Sequence, residues 1–272
     1  VKGALLYAFN NERVDYVKLA KLAAQRVHKF WDIPTCIVSD APRPAKLPKG
    51  IVFWKEVERP TVLNTKPYHE YGTALSYWNT NRHEAFSITP FTQTILLDVD
   101  FLVSTSNIVD AWSGNGIALT KQSYTVDGFE LPADCKWLSL KNKIEMYWAT
   151  VICFDKSPLA QEFFARWANV VRMYSVYSTM YGFDPAPVRN DFAVTIALQM
   201  MKGSSENGYF DLPYSIPTLT VGSMLQSLDP LIALTDVRDE ECEMITIHSD
   251  LHVMNKKSIL ECAVDTTLNR KK

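Results

Sequence analysis

Thr94-Ile95-Leu96-Leu97-Asp98-Val99-Asp100-Phe101-Leu102-Val103 (TILLDVDFLV) is the stretch on which the fold turns. Pro90 introduces an apolar run that ends abruptly in two carboxylates, and apolar residues then resume. Such a run reads as the central strand of a sheet. The two acids then sit at its carboxyl end, the edge where open α/β sheets bind ligands.

The residues on either side supply the rest of such a sheet. Upstream, residues 4–9 (ALLYAF) form an apolar strand ending at Asn10-Asn11. Val14, Val17, Ala20, Ala24, Val27 and Trp31 recur at helical spacing. After Pro34, residues 35–39 (TCIVS) form a second strand ending at Asp40. Residues 41–50 hold three prolines and read as a loop, and 51–54 (IVFW) form a third strand. This β-α-β opening implies parallel strands with a right-handed crossover. Residues 66–86, which carry Asn79, Asn81 and Arg82, are mixed and read as partly helical.

Downstream, residues 117–119 and 147–154 read as strands. Ser157-Pro158 is a helix start, an N-cap followed by proline at the first helical position. That helix places Leu159, Phe163, Trp167, Val170, Val171 and Tyr174 on one face. A second helix follows Asn190, with Ala193, Ile196, Ala197 and Met200 in register, and stops at Gly203. Residues 204–235 are loop-rich with short strands. Residues 244–248 (MITIH) form a late strand entering Ser249–Lys257. No repeat or low-complexity linker interrupts the chain. The expectation is one continuous α/β domain with an elaborated C-terminal half.

Composition excludes several classes. Of 272 residues, 47% are apolar and 21% charged, which is globular rather than disordered. The net charge of −2 lacks the basic excess of a duplex-binding protein, so a nucleic-acid partner would need a local basic face. The one basic run, Arg270-Lys271-Lys272, reads as a solvated tail. Cys36, Cys135, Cys153, Cys242 and Cys262 form no C-x-x-C pair; Cys36 and Cys153 lie in strand-like runs and read as buried thiols. A reducing cytoplasm is the expected location. No apolar run is long enough to span a bilayer, and no signal peptide is visible. P-loop, dinucleotide, G-x-S-x-G and H-E-x-x-H motifs are all absent.

Three groups of residues carry chemistry. Asp98 and Asp100, two apart on an extended chain, point the same way, and two carboxylates on one face repel unless a cation lies between them. Oxygen ligands suit Mn²⁺ or Mg²⁺. Against this, both acids could merely cap a turn. The second group is His248, Asp250, His252 and Lys256. If the strand continues, the first three share a face, offering a third metal ligand and an ammonium for a diphosphate. The third is Arg189-Asn190-Asp191 at a helix start, where an acid is common for capping alone. Its functional reading is an acceptor-facing carboxylate.

Together these pieces resemble the GT-A glycosyltransferases, in particular the glycogenin and lipooligosaccharide galactosyltransferase type. The opening strand resembles the family's nucleotide-binding strand, which implies that Tyr7, Ala8 and Phe9, with Asp40 at the next strand end, surround the nucleoside. Arg82, sixteen residues before Asp98, matches a donor-contacting basic residue. Asp98-Val99-Asp100 matches the D-x-D motif. Tyr147-Trp148-Ala149-Thr150-Val151 resembles the F-N-A-G-V strand beside the sugar, with Trp148 in place of Asn and Thr150 in place of Gly. Arg189-Asn190-Asp191 resembles an N-Q-D segment. His248 to Lys256 resembles the terminal H-x-x-G-x-x-K segment, with longer spacing and no Gly. The metal histidine is left open between His248 and His252.

The resemblance implies a single GT-A-like domain with a Rossmann-like, mostly parallel central sheet flanked by helices. Residues 1–103 would form the nucleotide-binding half and 104–272 the acceptor-binding half. It implies a nucleotide-sugar donor, foremost a UDP-sugar, with Mn²⁺ or Mg²⁺ as cofactor. The acceptor is a glycan or, since such chains also occur in bacteriophages, a hydroxymethylated DNA base in the host cytoplasm. Asn190 and Asp191 are the catalytic candidates; retention is expected, and Asp191 is the natural base if the reaction inverts. The rival readings are a haloacid-dehalogenase-type phosphohydrolase, a nucleotidyltransferase of the same fold and a non-catalytic nucleotide-sugar-binding module. The first normally carries its D-x-D near the chain start.

Overall fold

A computed structural model describes residues 1–60, 64–131, 144–201, 210–235 and 242–269. Cys135, the helix stop at Gly203 and the tail Arg270-Lys271-Lys272 lie outside the described residues. β1 (Lys2–Tyr7), α1 (Tyr16–Trp31), β2 (Thr35–Ser39) and β3 (Ile51–Glu56) form the opening unit, with β1–β2 and β2–β3 both parallel. Asp15 starts α1 by accepting the Lys18 amide at 2.9 Å, a side-chain N-cap.

Residues 66–86 differ from expectation. β4 (Thr65–Tyr68) and β5 (Thr73–Ser76) make an antiparallel hairpin, and only then come a 3₁₀ turn (Asn81–Glu84) and the short α2 (Ala85–Ile88). Pro67 cannot donate within a helix, and Gly72 at φ 65° makes the turn that reverses the chain.

The chain continues through β6 (Gln93–Leu97), β7 (Phe101–Leu102), α3 (Asn107–Ala111), β8 (Ile117–Thr120), β9 (Ser123–Thr125), β10 (Glu130–Leu131) and β11 (Trp148–Asp155). Helices α4 (Pro158–Arg172), α5 (Tyr174–Met180) and α6 (Asn190–Met201) follow, with Ser157 capping α4 as its sequence predicts. The last part holds β12 (Phe210–Asp211), β13 (Ile216–Leu219), β14 (Met224–Leu228), β15 (Leu231–Thr235), β16 (Glu243–Ile247), β17 (Leu251–Val253) and α7 (Lys256–Asn269). The sequence reading contains no α7. Its start is set by Asn255, whose side chain accepts the Ser258 amide at 3.2 Å.

The main sheet runs β12-β8-β11-β6-β1-β2-β3, so β6 does lie in its middle. β11 alone is antiparallel, to both β6 and β8. The strands' alternation feeds two apolar layers. Leu6, Ile37 and Ile95 pack with α1, whereas Leu5, Leu96 and Ile152 pack with α4 and α6. A smaller sheet, β10-β9-β13-β17-β7, meets the main one at the turn after β6. Cys36 and Cys153 are buried in these layers.

Phe163 is fully buried and packs edge-on to Phe164 at 5.0 Å and against Trp167 at 5.8 Å. Phe163→Ala is expected to cost about 3–5 kcal/mol of unfolding free energy. Urea denaturation of both proteins, followed by far-UV circular dichroism, measures it.

Candidate active site

Asp98 immediately follows β6 and is anchored there: its amide donates to the Thr150 carbonyl of β11 at 3.0 Å. The chain then turns instead of running on, because the Phe101 amide donates back to the Asp98 carbonyl at 3.1 Å. The carboxylates therefore meet across a turn, not along an extended strand as their spacing suggests.

The same turn is met from the C-terminal side. β17 pairs antiparallel with β7, setting His252 opposite Phe101, and the Val253 amide donates to the Asp100 carbonyl at 2.9 Å. This brings in His252 and excludes His248. β16 stops at Ile247 and β17 starts at Leu251, so the period-two pattern breaks between them. His248 is exposed and outside the cavity. Asp250 is fully buried and points elsewhere, accepting the Ser104 and Thr105 amides at 2.7 and 2.8 Å.

Asp98, Asp100 and His252 each offer a ligand atom within 4.8 Å of the others. A cation braces each acid. Arg82 Nη1 donates to Asp98 Oδ1 at 2.7 Å, and Lys256 Nζ stands 2.6 Å from Asp100 Oδ2. Each carboxylate thus has a second oxygen outside these ion pairs. Burial, with Asp100 alongside, holds the Asp98 carboxyl above its ordinary range despite Arg82. Asp100 goes the other way. Burial opposes ionisation, but Lys256 and His252 outweigh it and bring the carboxyl down to about 2. An oxygen-rich set of two carboxylates and one imidazole fits a hard or borderline divalent cation such as Mn²⁺ or Mg²⁺.

These groups line a cavity of about 460 Å³. Trp148, Ala149 and Thr150 form one wall, Arg189, Asn190 and Asp191 another. Asp191 Oδ1 accepts the Ala149 amide at 2.9 Å, clamping α6 to β11. Asn190 Nδ2 donates to the Tyr77 hydroxyl at 3.0 Å and the Asn79 carbonyl at 2.9 Å. Arg82 Nε and Nη2 are buried and have no partner among the described residues.

Tyr7, Ala8, Phe9 and Asp40 are not brought to this cavity. Tyr7 and Phe9 are buried in the α4/α6 layer. Asp40 pairs with Arg59. The edge above β1 is taken by the hairpin: Asn11 donates to the Ser76 carbonyl at 2.9 Å, and Glu12 accepts the Ser76 amide at 3.1 Å. That hairpin supplies site residues absent from the sequence reading. Tyr68 shares a 2.6 Å hydroxyl contact with Tyr16. Lys66 Nζ sits 4.2 Å from the centre of the Tyr77 ring. Burial, then the charge of Lys256, lowers the Lys66 ammonium to about 8, against the pull of Asp100, Asp98 and Asp191.

The order of strands and the acids after β6 define an α/β protein with a candidate ligand site at the carboxyl edge of its parallel strands. No protein-family model and no curated protein matches the sequence. Among solved structures, the galactosyltransferase LgtC in complex with donor and acceptor sugar analogs is similar at TM-score 0.45 and 12% identity, over 71% of this chain and 69% of that one. An active-site mutant of LgtC gives 0.48 and 13%, over 77% and 72%. The glycosyltransferase GlyE of Streptococcus pneumoniae TIGR4 gives 0.41 and 9%, over 78% of this chain and 45% of that one. At such scores, function has to come from the site's own geometry. Among the described residues, no helix is long and apolar enough to cross a membrane.

Asp250 fixes the segment carrying His252 to the segment after Asp100. Asp250→Ala removes two hydrogen bonds that backbone amides donate to a buried carboxylate and is expected to cost about 3 kcal/mol. Differential scanning calorimetry measures the loss as a lower melting temperature.

Proposed function

We propose that this chain is a divalent-metal-dependent glycosyltransferase that moves a sugar from a nucleoside diphosphate to an acceptor hydroxyl. The observation that carries the reading is the cavity in which Asp98, Asp100 and His252 converge between two fixed cations, Arg82 and Lys256. A dianionic leaving group needs such a surround of positive charge, held in place before the reaction begins. The donor would be a nucleotide-sugar, foremost a UDP-sugar.

Asp98, Asp100 and His252 would hold the Mn²⁺ or Mg²⁺. When bound, that ion supplies Lewis-acid neutralisation of the diphosphate. The remaining duties fall on the chain. Lys256 and Arg82 face the departing phosphates with fixed charge, and Lys66 adds a third cation from the hairpin. Trp148, Ala149 and Thr150 form the wall against the sugar. The bond from the anomeric carbon to the diphosphate oxygen breaks, and the acceptor oxygen bonds to that carbon.

The reaction proceeds with retention, the acceptor's proton passing to the departing phosphate. Asp191 favours this course. Its Oδ1 is committed to the Ala149 amide and its Oδ2 lies 3.8 Å from Arg189, which suits positioning better than proton abstraction. Asn190, tied to Tyr77 and Asn79, keeps the same wall in place. In this reading residues 1–103 serve chiefly the donor; residues 104–272 provide the acceptor side and return His252 and Lys256 to the donor phosphates.

Hydrolysis and transfer with a panel of UDP-, GDP- and ADP-sugars, in Mn²⁺, Mg²⁺ or chelator, test the proposal. At least one donor is expected to turn over with metal and to stop with chelator, and Asp100→Ala is expected to lower kcat about a hundredfold or more. Activity that survives both treatments contradicts it. Pyrophosphate as product would indicate a nucleotidyltransferase, and binding without turnover a non-catalytic module.

A further inference from the structure

The outer face of α1 carries a second concavity, of about 620 Å³, remote in composition from the carboxylate site. Lys18, Leu22, Gln25 and Lys29 fall on one helical face, at spacings of three and four. Lys21 joins them from the same helix, and Lys49 from the loop before β3. The opposite wall is the β14–β15 turn, with Leu228 and Asp229, and Ala263 of α7. Five cationic side chains thus face the carboxylate of Asp229 alone, in a protein whose net charge is −2. Lys29 pairs with Asp229 at 2.7 Å, both half-exposed. Among the described residues, Lys18, Lys21 and Lys49 have no carboxylate within ion-pair range.

Arg26 is the second and independent observation. It lines the groove, yet it is only 5% exposed. Its Nε donates to the Val103 carbonyl at 2.7 Å and its Nη1 to the Leu228 carbonyl at 2.9 Å. No carboxylate bonds to it. Asp229 and Asp250 act on this guanidinium from a distance without bonding it, so a phosphate at the groove floor would add the direct anionic contact that the carbonyls do not supply.

The spread of charge defines the anion. Lys18 to Lys29 covers about 16 Å of helix axis, too far for one compact phosphate to engage. A strand with a phosphate every few ångströms matches that track. The groove is concave and holds no Phe, Tyr or Trp side chain, its apolar lining being Leu22, Leu228 and Ala263, which disfavours insertion into a lipid surface. We propose that this groove binds an extended phosphodiester strand, a single-stranded nucleic acid, with Arg26 at its floor and Lys18, Lys21, Lys29 and Lys49 along its rim. The inference stands without the sugar-transfer reading.

Fluorescence anisotropy with a labelled oligothymidylate of about 20 nucleotides tests it, starting near 50 mM salt. Binding is expected, with log K falling against log salt at a slope of about −3.5, as five contacts to a single strand require. The triple variant Lys21→Glu, Lys29→Glu, Lys49→Glu is expected to bind at least about tenfold more weakly. Lys46→Glu, an exposed lysine outside the groove, is expected to leave binding unchanged. Should the triple variant fail to fold by thermal melt, Lys29→Ala and Lys49→Ala singly take its place. Asp100→Ala is expected to bind the oligonucleotide as the parent does, which keeps this test separate from that of the donor site. Absence of binding, equal weakening by Lys46→Glu, or groove-dependent binding to anionic vesicles in preference to the oligonucleotide would each overturn the proposal.

Discussion

Lys256 and Asp100 lie 2.6 Å apart, each more than nine-tenths buried. The pair ties the turn after the central strand to the first turn of the last helix, across most of the chain. Its placement runs against local preference, because a cation in the first turn of a helix faces the positive end of the helix dipole. Burial opposes both charges, yet mutual attraction lowers the acid and raises the lysine. A buried ion pair is weak evidence for stability, and breaking one by removing a single partner costs about 3–5 kcal/mol. Its value here is positional. It holds an ammonium beside two carboxylates and an imidazole, the charge pattern that a metal-bound diphosphate requires.

The other site contacts support that pair. β17 on β7 fixes His252, and Asp250 fastens the same segment by two amides. On the far side, Arg82 holds Asp98, and Asp191 holds Ala149. The hairpin closes over the top, where the Lys256 amide donates to Glu70 at 3.3 Å. The cavity is therefore walled by elements drawn from distant parts of the chain, held together by main-chain hydrogen bonds and buried charge.

Much of this frame was legible before any fold was known. Period-three-and-four spacing exposed α1, Ser157-Pro158 marked α4, and an apolar run ending in acids marked β6, because each of these signals is local. What failed was non-local. His248 and His252 are indistinguishable by type, and only the break between β16 and β17 decides which reaches the turn. Tyr7 and Phe9 end an apolar strand, as a nucleoside wall would, but the hairpin's bonds to Asn11 and Glu12 cover that edge. Lys66 lies in a stretch whose proline and glycine break any period. The overall charge of −2 concealed the basic groove, since composition averages over faces that the fold separates.

Titration of Mn²⁺ followed by electron paramagnetic resonance, with and without UDP, tests the central claim most directly. The account predicts one bound ion per chain, held more tightly with the diphosphate present and lost in Asp98→Asn together with Asp100→Asn. Free Mn²⁺ that stays undiminished, or binding that the double variant leaves intact, would contradict it.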